Sequence, residues 1–230
     1  MAIEHLSQRP DLARSSTFHL RSSPQAVGLH IERLLQIRQG MGIKERPYIV
    51  WQPLHYTCIV QNRNAFLEAC KQVNVFLPNR LQMAALFEET PGGDFKPDTL
   101  IEYARVFARH IGYPKGGAVV IRAAEYGSLT VTCAFKTRRL PAFYNALEPS
   151  PKCVDPTSGE ETFIGGFIAG WHCTHDHEEA SMWGIVAASF AFEQIGPPSL
   201  TRTGKKELWN NTRVLDRLEE YKNRLKRERL

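Results

Sequence analysis

A short run of residues after Cys153 has the composition that anion chemistry needs. Asp155, Pro156, Thr157, Ser158, Gly159, Glu160 and Glu161 make a turn of small and acidic residues. Residues 162–170, which follow, are mostly apolar and carry the paired Gly165 and Gly166. A turn that opens into a helix presents unpaired backbone N–H groups and partial positive charge, which favours an anionic ligand. The same residues also read as an ordinary helix start, with Thr157 or Ser158 as cap and acids in the first turn. Local pattern alone favours the ordinary helix start.

A second cluster is denser but less coherent. His172, Cys173, His175, Asp176 and His177 are all potential metal ligands. No second ligand pair at a zinc-finger spacing accompanies them, and they fall where a helix–helix connection is expected, so a metal site is not expected there. Cys153 or Cys173 beside a histidine could suggest thiol catalysis, yet no orienting third group is recognisable. Trp51, Trp171, Trp183 and Trp209 sit among apolar neighbours and read as packing residues rather than platforms for bases.

The elements that position these residues alternate between strand and helix. Apolar runs at 17–21, 48–51, 73–77, 118–121 and 129–133 read as strands. Amphipathic stretches at 25–39, 64–72, 80–87 and 98–111 read as helices, the first ended by Gly40 and Gly42. A loop is expected at 90–94, and a strand-to-strand turn through Tyr126 and Gly127. The remainder, 161–171, 178–195 and the tail, reads as mainly helical. Apolar strands alternating with helices predict an α/β fold, a three-layer α/β/α sandwich with a mostly parallel sheet. Ligands of such folds sit outside the carboxyl ends of the strands, which directs attention to the turns after Leu77, Ile121 and Val154.

Composition sets the outer bounds. The 230 residues are 43% hydrophobic and 23% charged, with 16 Gly and 14 Pro, which excludes disordered, collagen-like and low-complexity chains. No apolar run reaches membrane-spanning length, and the first twenty residues lack the apolar centre of a signal peptide. Five scattered cysteines fit reduced thiols and a cytoplasmic setting. The net charge of +5 comes from the tail, where basic residues from Arg202 onward outnumber acids. Those acids are interleaved, and Leu208, Leu215, Leu218, Tyr221 and Leu225 recur near helical spacing. A terminal helix docked on one face is therefore expected, rather than an RNA-binding or membrane-binding arm.

The order of these segments resembles the PfkB, or ribokinase-like, carbohydrate kinases. The resemblance rests on residues 154–170 and the Ala-rich stretch 187–196. It extends back through 122–127, 78–82 and 47–53, and forward to 207–210. Residues 47–53 and 207–210 look like a fungal branch of the family associated with killer-virus maintenance. The family's pattern there is Asp-Pro-Thr-Gly-Ala-Gly-Asp, a helix with paired glycines, then an Ala-rich helix. The resemblance implies transfer of the ATP γ-phosphoryl to a sugar-like hydroxyl, with Mg2+. It assigns Ser158, Gly159 and Glu160 to the anion hole and Glu161 to the general base. Asn79 and Gln82 match the Asn-x-x-Glu segment that organises metal and phosphate. Arg122, Ala124, Gly127, Ile185 and Ala188 match the nucleotide pocket, and Asp155 and Thr157 the loop that holds a monovalent cation.

Five positions depart from the family. Both glycines of the Gly-Ala-Gly-Asp tetrad are replaced, and Glu160 puts a carboxylate where phosphate charge would be cradled. Glu161 stands at the base position one methylene longer, a displacement of about 1 Å that can cost about 100-fold in rate. Gln82 replaces an acid, and Ala124 replaces the usual glycine. The resemblance begins well inside the family's fold, leaving residues 1–16 as an extension before a kinase-like domain over 17–230. The family's sugar-binding and lid segments have no counterpart, so the acceptor is undefined. An exposed sheet edge is expected to be covered by a second copy or a partner chain. Three readings follow: a kinase-like protein with impaired transfer, an active sugar or nucleoside kinase using Glu161, or a non-catalytic protein- or RNA-binding module.

Overall fold

The computed structural model describes residues 3–88, 95–112, 116–144, 150, 152–204 and 206–227, so the loop expected at 90–94 lies outside the described residues. By its contacts the chain forms two compact units, Met1–Ile121 with Val131–Thr137, and Arg122–Thr130 with Arg138–Leu230. A six-stranded sheet in the order β1-β2-β3-β4-β5-β6 organises them, and helices flank it. The α/β class with a mostly parallel sheet is thus as expected.

The first unit carries α1 (Pro10–Ala13), β1 (Thr17–Ser22), α2 (Pro24–Gly40), β2 (Tyr48–Pro53), α3 (Arg63–Cys70), β3 (Val75–Phe76), α4 (Arg80–Ala85), α5 (Pro97–Ala108) and β4 (Ala118–Arg122), the last reaching the boundary. β1, β2, β3 and β4 pair in parallel, with Leu20 opposite Trp51, Trp51 opposite Phe76, and Phe76 opposite Val119. Strands buried on both faces need continuous apolar sequence, which β2 and β4 supply. Trp51 is fully buried and stacks on Phe66 at 5.1 Å between ring centroids, with Phe76 at 4.9 Å. Its indole N–H donates to the Ser22 carbonyl at 3.1 Å, so this tryptophan is a packing residue. The strand expected at 73–77 shortens to two residues, although bonding to β2 continues at Asn74, whose N–H donates to the Ile49 carbonyl at 3.0 Å. The Asn74 Oδ1 accepts from the Ile49 N–H at 2.8 Å.

The second unit carries β5 (Ser128–Thr132) and β6 (Thr137–Leu140), which straddle the boundary, then α6 (Gly159–Thr174), α7 (His177–Phe192), β7 (Leu200–Thr203), β8 (Lys206–Trp209) and α8 (Val214–Arg227). Residues 123–127 and 133–136 connect β4, β5 and β6, and links that short reverse the chain. Gly166 lets α6 and α7 approach, since a Cβ there would lie 2.5 Å from the Ala187 Cβ. Inside the unit, the Thr130 and Ser181 hydroxyls meet at 2.9 Å, tying β5 to α7.

Three expectations need correction here. β6, β7 and β8 lie in stretches read as helical or left unassigned. The hairpin β7–β8 is exposed or half-buried throughout and so shows no apolar period. Asn210 anchors it instead. Its backbone is left-handed (φ 46°), and its Nδ2 reaches the Phe190 carbonyl, Glu193 and Gln194. In the tail, Leu218, Tyr221 and Leu225 are buried on the docked face of α8, but Leu208 belongs to β8 and Leu215 is 53% exposed. Trp171, Trp183 and Trp209 are half-buried rather than core residues.

Candidate functional site

The turn from β4 to β5 and the start of α6 face one cavity of about 330 Å³, lined entirely by the second unit. Two backbone devices shape the turn. Ala124 takes a left-handed conformation (φ 50°), where an alanine is strained and a glycine is not. Gly127 is required: its φ is +87°, and a Cβ there would clash with the Leu140 carbonyl oxygen.

On the α6 side, the Asp155 carboxylate accepts from the Thr157 N–H at 2.9 Å and from the Thr157 hydroxyl at 2.5 Å. Those bonds from Thr157 hold the Asp155 carboxyl below its usual range. The turn is stapled to the end of α7, because the N–H groups of Val154 and Asp155 both donate to the Phe192 carbonyl, at 2.7 and 3.1 Å. Neither side chain expected to cap the helix does so: Ser158 stands at the cap position but makes no side-chain cap bond, and Thr157 is engaged with Asp155. Gly159 must be glycine, since a Cβ there would enter the Phe192 ring.

The first turn of α6 carries Glu160 and Glu161. Glu160 ion-pairs with Arg122, Oε2 to Nη1 at 2.8 Å, with the Arg122 side chain 4% exposed and that of Glu160 47% exposed. A buried guanidinium in β4 thus meets a carboxylate that fronts on solvent. Glu161 is exposed, lies outside the cavity lining, and its carboxylate makes no hydrogen bond or ion pair with the described residues.

Of the residues singled out by sequence, Arg122, Ala124, Gly127, Gly159, Glu160, Ile185 and Ala188 converge on this cavity. Asp155, Thr157, Ser158 and Glu161 lie beside it without lining it. Asn79 and Gln82 belong to the first unit, where they form a reciprocal capping box on α4. The Gln82 N–H donates to Asn79 Oδ1 at 2.9 Å, and the Asn79 N–H to Gln82 Oε1 at 2.8 Å. Gln82 is buried, and its Nε2 donates to the Pro53 carbonyl at 3.2 Å, a bond no glutamate carboxylate could make.

Sequence reading missed the aromatic walls. Phe143, Tyr144, Phe163 and Phe192 line the cavity, with Cys153 at its edge. Alternating helix residues could have flagged Phe163 and Phe192, but nothing local marks Phe143 and Tyr144. Those two are placed by distant partners. Tyr221 donates to the Pro141 carbonyl at 2.6 Å, and Arg224 donates to the Ala142 and Phe143 carbonyls at 3.0 and 2.8 Å. The Tyr144 hydroxyl donates to Glu193 at 2.6 Å, and Arg217 pairs with the same carboxylate at 2.9 Å. Burial raises the Glu193 carboxyl, but bonds from Tyr144 and Asn210 and the Arg217 charge outweigh it and leave Glu193 below the ordinary carboxylate range. Burial, and then the bond to Glu193, push the Tyr144 hydroxyl well above the usual tyrosine value.

Among the described residues no cluster of three or more His, Cys, Asp or Glu is poised to hold a metal, the run from His172 to His177 included. His177 is instead buried against Trp171, 4.4 Å between centroids, and burial lowers it to about 4. All five cysteines are free thiols. Among the described residues no helix is long and apolar enough to cross a membrane.

No protein-family model matches the chain. It is 29% identical over 213 residues to the protein MAK32 of Saccharomyces cerevisiae, covering 89% of this chain and 56% of that protein. It is 28% identical over 224 residues to an uncharacterised protein of Schizosaccharomyces pombe, covering 91% and 60%. The chain therefore spans less than two thirds of the curated relatives it matches. Among solved structures it resembles Anopheles gambiae adenosine kinase in complex with a diadenosine tetraphosphate, with a TM-score of 0.61 at 20% identity over 84% of this chain and 56% of that one. It also resembles Thermotoga maritima ribokinase (0.56, 17%, 93% and 59%) and Arabidopsis thaliana ribokinase complexed with ribose and ATP (0.57, 13%, 82% and 54%). The fold is ribokinase-like.

Proposed function

We propose that this chain is a kinase-like protein whose second unit keeps a nucleoside-side cavity while its phosphoryl-transfer end is impaired. The observation that carries the reading is the ion pair between Arg122 and Glu160 at the cavity (2.8 Å). A carboxylate of the protein sits on the cation that a ligand phosphate would seek, and like charge opposes the phosphate's approach. The residues do not fit a magnesium triphosphate. Glu160 stands in the anion turn, Gln82 is a buried capping residue without charge, and Glu161 is set outside the cavity.

Recognition of a flat, largely apolar group is well supported by the same cavity. Phe143, Phe163 and Phe192 line it, and Ile185 and Ala188 complete an apolar wall. The test is ADP formation by the purified chain across a panel of sugars and nucleosides. No substrate-dependent rate is expected. A rate that appears with one acceptor and vanishes on Glu161→Ala would overturn the reading in favour of an active kinase with Glu161 as general base.

A further inference from the structure

The charged groups that line the cavity are Arg122, Glu125 and Glu160, one positive and two negative. Arg122 is almost wholly buried and already faces Glu160. A ligand phosphate that approaches the guanidinium from the cavity competes with that carboxylate for it. The carboxylate stays beside the phosphate, because Glu160 is fixed at the first turn of α6. A sugar hydroxyl meets the opposite situation. A carboxylate that fronts on solvent accepts hydrogen bonds from hydroxyl groups, as acidic residues do from ribose in dinucleotide sites. The rest of the cavity is aromatic and aliphatic, and stacking of a base on aromatic rings needs no charge. The volume, about 330 Å³, lies at the small end of ligand cavities.

We infer that the cavity takes an uncharged nucleoside in preference to the nucleoside triphosphate, with Glu160 as the residue that sets this choice. The inference rests on the nucleoside-cavity reading above and goes beyond it by naming the ligand class. The base stacks among Phe143, Phe163 and Phe192, and the sugar hydroxyls donate to Glu160. Each added phosphate places more negative charge against a lining that is already net negative, so affinity falls from nucleoside to monophosphate to triphosphate.

The experiment is calorimetric titration of the full chain with the four common ribonucleosides and their 5′-mono- and triphosphates, with and without Mg2+. The best nucleoside is expected to bind at least tenfold tighter than its own triphosphate. Glu160→Gln should tighten the triphosphate about tenfold or more and weaken the nucleoside, whose hydroxyls lose a charged acceptor, so that the ratio of the two affinities shifts by more than about tenfold. Glu160 is half exposed, but its substitution leaves the buried Arg122 without that counter-charge, so thermal unfolding and circular dichroism must first show that the variant is folded. Cys153→Trp, which fills the cavity from its exposed edge, should abolish binding of every member of the panel. A triphosphate that binds as tightly as its nucleoside, or a Glu160→Gln protein with an unchanged ratio, overturns the inference while leaving the cavity reading in place. No binding by any compound, or binding that survives Cys153→Trp, overturns both.

Discussion

Arg217→Met tests whether the cavity's far wall is held by a buried charge network. The Arg217 and Glu193 side chains are 7% and 13% exposed and pair at 2.9 Å. Arg217 also donates to the Ser189 hydroxyl at 3.1 Å and lies 3.7 Å from the centre of the Phe190 ring. Removing one partner of a buried pair costs about 3–5 kcal/mol, mostly because the other charge is stranded. Glu193 would keep the Tyr144 hydroxyl at 2.6 Å and the Asn210 amide at 2.8 Å. That partial satisfaction sets the expected cost near the lower end, about 3 kcal/mol. Urea unfolding followed by circular dichroism should show a midpoint lowered by about 1 M or more. Replacing both partners, Glu193→Leu with Arg217→Met, should cost less than the sum of the two single changes by about 1–3 kcal/mol. The pH dependence has a definite sign. Glu193 is held below its ordinary value of 4.5, so its stabilisation is present above that value and is lost as pH falls through the lowered one. The Arg217→Met penalty must therefore shrink in acid as the stranded carboxyl takes up a proton. A cost under about 1 kcal/mol at neutral pH, or strict additivity of the pair, refutes the reasoning.

Four further outcomes are expected. Gly127→Ala should destabilise by about 2 kcal/mol or more through its left-handed backbone and the clash with the Leu140 carbonyl. Ala124→Gly, which relieves left-handed strain against a more flexible unfolded chain, should raise stability by up to about 1 kcal/mol. Thermal unfolding checks both. Gln82→Glu, although it restores the acid of the family pattern, should cost about 1–3 kcal/mol because it loses the bond to the Pro53 carbonyl and buries a charge beside it; a more stable variant would contradict the capping role. His177, neutral when folded and lowered to about 4 from 6.5, contributes stability that is complete above 6.5 and declines as pH falls toward 4. His177→Phe should flatten that limb of the stability–pH curve, and an unchanged slope would exclude His177 as its origin.

Much of the first unit was readable along the chain because its signals are local. Apolar runs such as Ile49 to Trp51, helix stops at Gly40 and Gly42, and alternation of element lengths all act over a few neighbouring residues. The same holds for the turn at Gly127 and the acidic start of α6, since a tight turn and a helix mouth announce themselves by residue type. Asn79 and Gln82 show the limit of such reading. Their spacing equally describes a capping box and a phosphate-organising segment, and only the observed reciprocal bonds distinguish the two.

What no stretch of sequence carries is the pairing of groups far apart in the chain. Glu160 reads as a defect in an anion turn until Arg122, at the end of β4, is found paired with it. Phe143 and Tyr144 become cavity walls because Arg224, Tyr221 and Glu193 hold their backbone and hydroxyl groups from α8 and the end of α7. The exposed hairpin β7–β8 has no apolar rhythm to betray it and depends on one left-handed asparagine, Asn210. Backbone propensity and apolar periodicity are summed over adjacent residues and survive in the one-dimensional string. Ion pairs and cavity walls depend on distances between residues dozens of positions apart, which exist once the chain has folded.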